Sequence, residues 1–193
     1  MKLLRIILSL GLTLALLSCA KTEPRTVPEA PQALQYVSGH QPLGNELFAY
    51  QVAAQTGFDP QAFADEVSLI LASNRSWGPA VRVSAGQDFT IYLVSPETTR
   101  EKCGETVVVD GSVFLSCSTG AEIFINSDRW YSSSPLYPGS LTEYRQYLVN
   151  HEVGHSLGHG HEACPGAGLP ASVMQQQTLG LRGCVVNSWP YGT

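Results

Sequence analysis

Four of the five histidines in this 193-residue chain fall within eleven consecutive positions, 151 to 161. The cluster opens with the run His151-Glu152-Val153-Gly154-His155, in which two histidines stand four residues apart. On a helix this spacing places both side chains on one face, where their ring nitrogens could bind a single Zn²⁺ ion at about 2.0–2.1 Å. Glu152, between them, has the position of a general base that takes a proton from a water molecule at the metal.

The residues after this run, Ser156 to His161, offer a third ligand. Gly158 would end the helix, because glycine takes the positive φ of a sharp corner without steric cost, and the corner would bring His161 back to the metal. One alternative is a helix that continues and presents His159 instead, although the glycines at 158 and 160 would each cost about 1 kcal/mol in a helix interior. The other alternative is a histidine-rich helix end that holds no metal.

The full motif from His151 to His161, H-E-x-x-H-x-x-G-x-x-H, resembles the signature of the metzincin zinc peptidases. The resemblance implies a twisted sheet over an active-site helix, with a methionine-containing turn beneath the metal. Downstream, Ala171-Ser172-Val173-Met174 is similar to that Met-turn. In the family this methionine supports the histidine ligands without binding zinc. The alternative for Met174 is a side chain that only fills a gap in the core.

More than half of the chain, residues 90–191, is also similar to a family of uncharacterised actinobacterial exported proteins described as zinc metalloproteases. That similarity does not identify a substrate. The chain departs from some metzincins as well, because only twelve residues separate His161 from Met174. This short connection is similar to that of snapalysin, whose third ligand is an aspartate. No tyrosine follows Met174 where astacins and serralysins carry an extra ligand, so we expect three protein ligands.

The motif must be held on a helix, and the residues before it carry the signals for one. Pro138-Gly139 interrupts regular structure, and Ser140 can cap a helix that starts after it. Glu143, three residues later, completes a capping box. We therefore predict a helix from 141 to 157. The glycines and prolines from 158 to 170 predict a loop-rich C-terminal part.

Apolar periodicity predicts the remaining elements of an α+β fold. A helix from 60 to 72 would start at Pro60 with Asp59 as its cap. Short β-branched and aromatic runs then predict a small mixed sheet of four or five strands, packed on this N-terminal helix and on the active-site helix. The runs are residues 81–83, 89–94, 106–109, 113–115 and 123–125. Asp110-Gly111 predicts a hairpin turn between two of them.

The amino terminus has the layout of an export signal. Residues 1–5 carry two positive charges, and the apolar run from Ile6 to Leu17 is shorter than the roughly 20 residues that cross a bilayer. The run Leu16-Leu17-Ser18-Cys19 resembles the lipobox of bacterial lipoproteins. It implies a signal peptide over residues 1–18 and a lipid on Cys19 that anchors the protein to the outer face of the bacterial cell membrane. The alternative is an ordinary cleaved signal and a secreted protein.

Composition supports one folded domain after a spacer. Residues 19–45 contain four prolines and few core-forming residues, which predicts a proline-rich tether before a zinc peptidase domain at 46–193. The net charge is −5, and without Lys2 and Arg5 of the leader nine basic residues face 16 acidic ones, a net charge of −7. This balance argues against nucleic acid as a partner.

The four cysteines beyond position 19 form an even set on an exported chain, which favours two disulfides over free thiols. Three pairings are possible. We predict Cys103 with Cys117 and Cys164 with Cys184, because this pairing closes the shortest loops. Four buried thiols are the alternative.

Together these features predict a monomeric zinc endopeptidase that hydrolyses peptide bonds in protein or peptide substrates. One zinc ion would be held by His151, His155 and His161, while Glu152 would take a proton from water and pass it to the leaving amine. An edge strand at Ile123–Asn126 would pair with the extended substrate. Two other functions stay open: a zinc amidase that acts on cell-wall peptides, and a non-catalytic zinc-binding lipoprotein, which would not need the glutamate.

Overall fold

The computed structural model describes residues 33–104, 108–109, 112–113 and 115–192. The predicted signal peptide and Cys19 lie outside the described residues, as do Asp110 and Gly111 of the predicted hairpin turn. The described part has an α+β architecture, in which helices pack against a mixed sheet. None of its helices combines the length and the apolar character that crossing a membrane requires.

Both helices predicted from the sequence are present. α1 follows Asp59, whose side chain accepts hydrogen bonds at 3.0 Å from the amides of Gln61 and Ala62. The predicted capping box starts α4. Two shorter helices, α2 and α3, were not predicted. The four helices are α1 Pro60–Leu71, α2 Pro96–Cys103, α3 Ser127–Ser132 and α4 Leu141–Ser156, and a 3₁₀ turn follows at Gln177–Leu179.

Eight strands form two sheets in the described residues. They are β1 Leu34–Val37, β2 Phe48–Gln55, β3 Ala80–Arg82, β4 Phe89–Val94, β5 Val108–Val109, β6 Ser112–Val113, β7 Cys117–Ser118 and β8 Glu122–Asn126. Six of them make one sheet in the order β1-β2-β4-β8-β7, with β3 paired to β2 as well. The strands β2, β4 and β8 are parallel, and β7 is antiparallel to β8. β5 and β6 form a separate antiparallel pair, in which Val109 is opposite Ser112.

The sheet differs from the prediction in size and in its edge. It has six strands rather than four or five: β3, β4 and β8 were predicted, and β1, β2 and β7 were not. The predicted strands β5 and β6 pair with each other outside this sheet. β1 lies within the residues assigned to the tether and pairs with β2, so the sheet begins before residue 46. The prediction that Ile123–Asn126 forms an edge strand is wrong. This segment is β8, which lies between β4 and β7, so that β7 is the edge strand.

The two faces of the sheet are covered to different extents. On one side, alternate residues of β2, β4 and β8 pack with α1 and α4 in the main core, which includes Val52, Ile91, Leu93, Ile123 and Val153. On the other side a small cluster of Ala53, Tyr92, Val94 and Phe124 packs against the side chains of Cys103 and Cys117. The main core therefore fixes α4 against the sheet.

Both predicted disulfides are confirmed. Cys103 at the end of α2 is bonded to Cys117 in β7, and Cys164 is bonded to Cys184 in the C-terminal loops. The first disulfide joins a helix to the edge strand of the sheet. The second closes a loop that contains Met174 and the 3₁₀ turn.

Candidate metal centre

The three histidines predicted as ligands lie together. One ring nitrogen from each of His151, His155 and His161 falls within a group whose members are no more than 4.8 Å apart. The Nε2 atoms of His155 and His161 are separated by 3.1 Å. Within the described part of the chain, His159 does not belong to this group. The arrangement could hold a metal ion, and it favours the predicted ligand set over a helix that continues through His159.

His151 and His155 share a face of α4, one turn apart, with their ring centroids separated by 4.8 Å. Their surroundings differ, because the C-terminal loops cover the turn of the helix that carries His151, whose Nδ1 contacts the carbonyl of Val173. His151 is only 4% exposed, whereas His155 is half-buried. The centre is therefore anchored at its buried end and open at the other.

A sharp turn after α4 brings His161 back to the helix. Gly158 has φ +92°, and its amide donates to the carbonyl of His155 at 3.0 Å. The amide of His159 donates to the carbonyl of Gly154 at 2.9 Å. These two bonds and the left-handed glycine form a Schellman motif, which ends the helix and reverses the chain. The turn is the physical reason why the third histidine comes from beyond the helix.

Backbone carbonyls orient two of the imidazole rings. Nδ1 of His151 lies 2.8 Å from the carbonyl oxygen of Val173, and Nδ1 of His155 lies 2.8 Å from that of His159. A carbonyl can only accept, so Nδ1 carries the hydrogen in both rings and the Nε2 lone pair is free for a metal. Burial lowers the pKa of His151 to about 3 and also lowers that of His161. Both rings are thus neutral at pH 7, which is the form that binds metals.

Glu152 is the carboxyl group of the site. It is 4% exposed, and burial raises its pKa to about 8. Among the described residues it forms no ion pair and accepts no hydrogen bond from a side chain. A carboxylate in such surroundings holds a proton more tightly than one in water, which suits a group that must take a proton during a reaction.

The histidines and Glu152 line a cleft of about 470 Å³. One wall is α4, and the opposite wall is formed by β7 and the disulfide Cys103–Cys117. Gln176 and Thr178, from the loop that the second disulfide closes, complete it. The remaining lining residues are Leu115, Ser116, Ser118, Tyr147 and Leu148. The centre is therefore accessible from a cleft that the edge of the sheet borders.

Met174 lies beneath the helix that carries the ligands. It is 1% exposed and belongs to the main core. A Cβ atom placed on Gly154 would overlap the sulfur of Met174 and would lie 2.7 Å from the ring of Trp77. Glycine at position 154 therefore allows both side chains to pack directly against the helix backbone, between the two histidines of α4.

Several residues that support the centre were not found from the sequence. Asn150, immediately before His151, is fully buried and accepts a hydrogen bond from Ser76 at 2.7 Å. Trp77 donates to the Asn150 carbonyl at 2.8 Å. These partners come from the loop between α1 and β3, and no local sequence pattern links that loop to the histidine motif.

The donor set fits a transition metal. Three neutral imidazoles suit zinc, copper, iron or nickel, whereas calcium and magnesium prefer oxygen ligands.

Comparison with known proteins identifies one family to which the chain is similar. The model of one protein family, described as a protein of unknown function (DUF3152), matches residues 21–188, which include the whole histidine motif. No curated protein and no solved structure matches the chain.

Proposed function

Since the chain belongs to the DUF3152 family, whose function is unknown, we propose a function from the site itself: a zinc-dependent endopeptidase of the metzincin type. His151, His155 and His161 would hold one Zn²⁺ ion, and Glu152 would be the general base. The observation that carries this proposal is the convergence of three imidazole nitrogens within 4.8 Å beside a buried carboxyl group in an open cleft.

Among the metals that suit three imidazoles, we propose zinc. Catalytic zinc sites have three protein ligands and one open position, and structural sites are closed by four. Here three histidines converge and the cleft leaves one side open. Met174 would be the residue of the Met-turn, and its burial against Gly154, between the two helical ligands, supports that role.

Glu152 would move the protons of the reaction. A bound zinc ion would supply the Lewis acid that polarises the scissile carbonyl and lowers the pKa of a water molecule. The Glu152 carboxylate would take the proton from that water and give it to the leaving amine. Burial raises the pKa of Glu152 and makes its carboxylate a stronger base than an exposed glutamate. The positive charge of a bound zinc ion would keep the group ionised before it takes the proton.

An extended peptide would bind along the edge of the sheet. β7 is the edge strand and runs antiparallel to β8, and its residues Cys117 and Ser118 line the cleft. A free strand edge offers backbone donors and acceptors to which a peptide can add as a further strand. Apart from Glu152 and the histidines, the lining residues carry no charge, so a peptide segment with uncharged side chains fits best.

The proposal includes an exported location. Two disulfides support an oxidising compartment, because thiols stay reduced in the cytosol. We propose, on the sequence of residues 1–19, that a lipid on Cys19 anchors a monomeric enzyme to the outer face of the bacterial membrane, where protein or peptide substrates meet the cleft.

The test measures metal and hydrolysis separately in the purified full-length chain. We expect one zinc per chain by elemental analysis and cleavage of casein or of members of a peptide library. Glu152→Gln should retain zinc and lose about 10²–10⁴-fold in kcat/KM, the usual contribution of a general base. Glu162→Gln, which removes an exposed carboxylate next to His161, is the matched control and should keep full activity.

The possible outcomes distinguish the proposed function from the two alternatives. A folded chain that takes up no metal, or a Glu152→Gln variant as active as the natural chain, would contradict the proposal. Cleavage of peptidoglycan peptides without cleavage of casein or of the library would identify a zinc amidase instead. Bound zinc without turnover on any of these substrates would identify a zinc-binding lipoprotein.

A further inference from the structure

His159 lies between the second and third metal ligands in sequence, yet its ring faces away from them. The ring stacks on Trp77, with the ring centroids 4.4 Å apart and an angle of 24° between the planes. His159 is exposed, whereas Trp77 is only 8% exposed. An exposed side chain is thus held against a fixed, buried surface.

The backbone of His159 contacts the metal centre directly. Its carbonyl accepts the hydrogen bond from Nδ1 of His155 at 2.8 Å, and its amide donates to the carbonyl of Gly154 at 2.9 Å. The first bond sets the rotation of the His155 ring. The second fixes the corner from which the chain continues to His161, so the orientation of two ligands depends on where residue 159 lies.

Trp77 in turn is fixed to the helix that carries the ligands. Its indole Nε1 donates to the carbonyl of Asn150 at 2.8 Å, and its ring packs against Gly154. The neighbouring Ser76 donates to the Asn150 side chain at 2.7 Å. Trp77 therefore contacts α4 immediately before His151 and again immediately before His155.

We infer that His159 is a positioning residue, and that its stack on Trp77 holds the turn in the geometry that orients His155 and delivers His161. This inference rests on the proposed zinc site. The stack connects the rigid part of the centre, which is α4 and Trp77, with the exposed part, which is the turn after α4. Without the ring of residue 159 the turn keeps its backbone bonds but loses the contact of this side chain with Trp77.

The test is the zinc dissociation constant of the full-length chain, measured by competition with a chromophoric chelator. His159→Ala removes the stack, and we expect binding to weaken by about 10–100-fold, the usual effect of losing the support of a ligand. His159→Phe keeps a flat ring over Trp77 and has no ring nitrogen. It should bind zinc about as tightly as the natural chain.

These two variants separate three roles for the residue. If His159 were a ligand, His159→Phe would lose affinity as His159→Ala does. If it had no role, neither variant would change. Only a positioning role predicts loss in the alanine variant and recovery in the phenylalanine variant, so either other pattern overturns the inference. His40→Ala, which removes an exposed histidine before β2, is the matched control and should leave the affinity unchanged.

Two further measurements keep the result interpretable. The metal-free His159→Ala chain should unfold at the same temperature as the natural metal-free chain, because an exposed ring contributes little to the core; a large decrease would mean general destabilisation and would overturn the inference. If the natural chain binds no zinc, the proposed function fails and the inference fails with it. If the natural chain and His159→Ala bind zinc equally well, only the inference fails.

Discussion

The two ends of helix α4 are held in different ways. At its start, the Ser140 hydroxyl accepts from the Glu143 amide at 3.2 Å, and the Glu143 carboxylate accepts from the Ser140 amide at 2.8 Å. Both residues are exposed and stand three positions apart. At its end, the helix backbone packs against Trp77 and Met174, and Trp77 is bonded to a carbonyl 73 residues away in sequence.

This difference separates two tasks. Local bonds at the start determine where the helix begins, and they involve neither the cleft nor the histidines. Long-range contacts at the end determine where His155 and His161 lie relative to His151. We therefore expect changes at the start to alter the stability of the fold alone, whereas changes at the end should alter both stability and metal affinity.

The largest effect is expected from Gly154→Ala, at the end of the helix. The added methyl group would overlap the Met174 sulfur, which can move, and would press on the Trp77 ring, which is rigid. Overpacking of this kind costs about 1–3 kcal/mol, and the better helix propensity of alanine returns at most about 1 kcal/mol. We expect denaturant unfolding of the metal-free chain to show a net loss of stability, and chelator competition to show weaker zinc binding.

Gly160→Ala is the control for this change. Position 160 has no atom within 4 Å of an added Cβ and does not need a left-handed φ. Its substitution should alter the free energy of unfolding by less than about 0.5 kcal/mol, as is usual for surface sites. If the Gly154→Ala chain were as stable as the natural one, Met174 and Trp77 would be able to move away from the added methyl group without loss of stability.

A smaller effect is expected from Gly158→Ala, in the turn itself. Gly158 has φ +92°, and an added Cβ would meet no atom within 4 Å, so the cost is backbone strain alone. We expect the free energy of unfolding to fall by about 1 kcal/mol. Zinc affinity should fall as well, because the strained turn carries the His159 carbonyl and His161.

Gly57→Ala provides a matched comparison for the turn. Gly57 has φ +104° and is equally free of neighbours, but it lies before α1, away from the histidines. Both variants should lose similar stability, and only Gly158→Ala should bind zinc more weakly. Equal zinc affinity in the two variants would show that the turn does not determine the position of His161.

The contrast between the two helix ends also explains what could be predicted from the sequence. The start of α4, the cap of α1 and the pairing of nearby cysteines depend on residues close together in the chain, and all were predicted. The grouping of His151, His155 and His161 was predicted for the same reason, since helical spacing and one glycine corner bring them together.

The missed strands and the missed contacts of Trp77 depend on residues far apart in the chain. β2 contains Ala53 and Ala54, which have low strand propensity. It is a strand because β1 and β4 pair with its edges and because both of its faces are buried. β7 has only two residues, and its pairing with β8 and its disulfide to α2 place it at the edge. The contact of Trp77 with Asn150 and His159 likewise has no local signal.

The smallest effect is expected at the start of α4, where it depends on pH. Hydrogen bonds from the Ser140 amide and hydroxyl lower the pKa of Glu143 below its usual 4.5. A carboxyl whose pKa is lower in the folded state stabilises the fold above its unfolded pKa, and this contribution is lost as the pH falls through the folded pKa. For an exposed acidic group in a first helical turn it amounts to about 0.3–1 kcal/mol, less when salt screens it.

Glu143→Gln keeps a side-chain acceptor for Ser140 without the charge. The natural chain should therefore be slightly more stable than Glu143→Gln at pH 7, and the difference should shrink as the pH falls below 4.5 and vanish below the folded pKa, while zinc affinity at pH 7 stays equal. Glu122→Gln, which removes an exposed carboxylate at the start of β8, should show no such convergence. Weaker zinc binding by Glu143→Gln would mean that the start of the helix also affects where the histidines lie, and that its two ends do not have separate tasks.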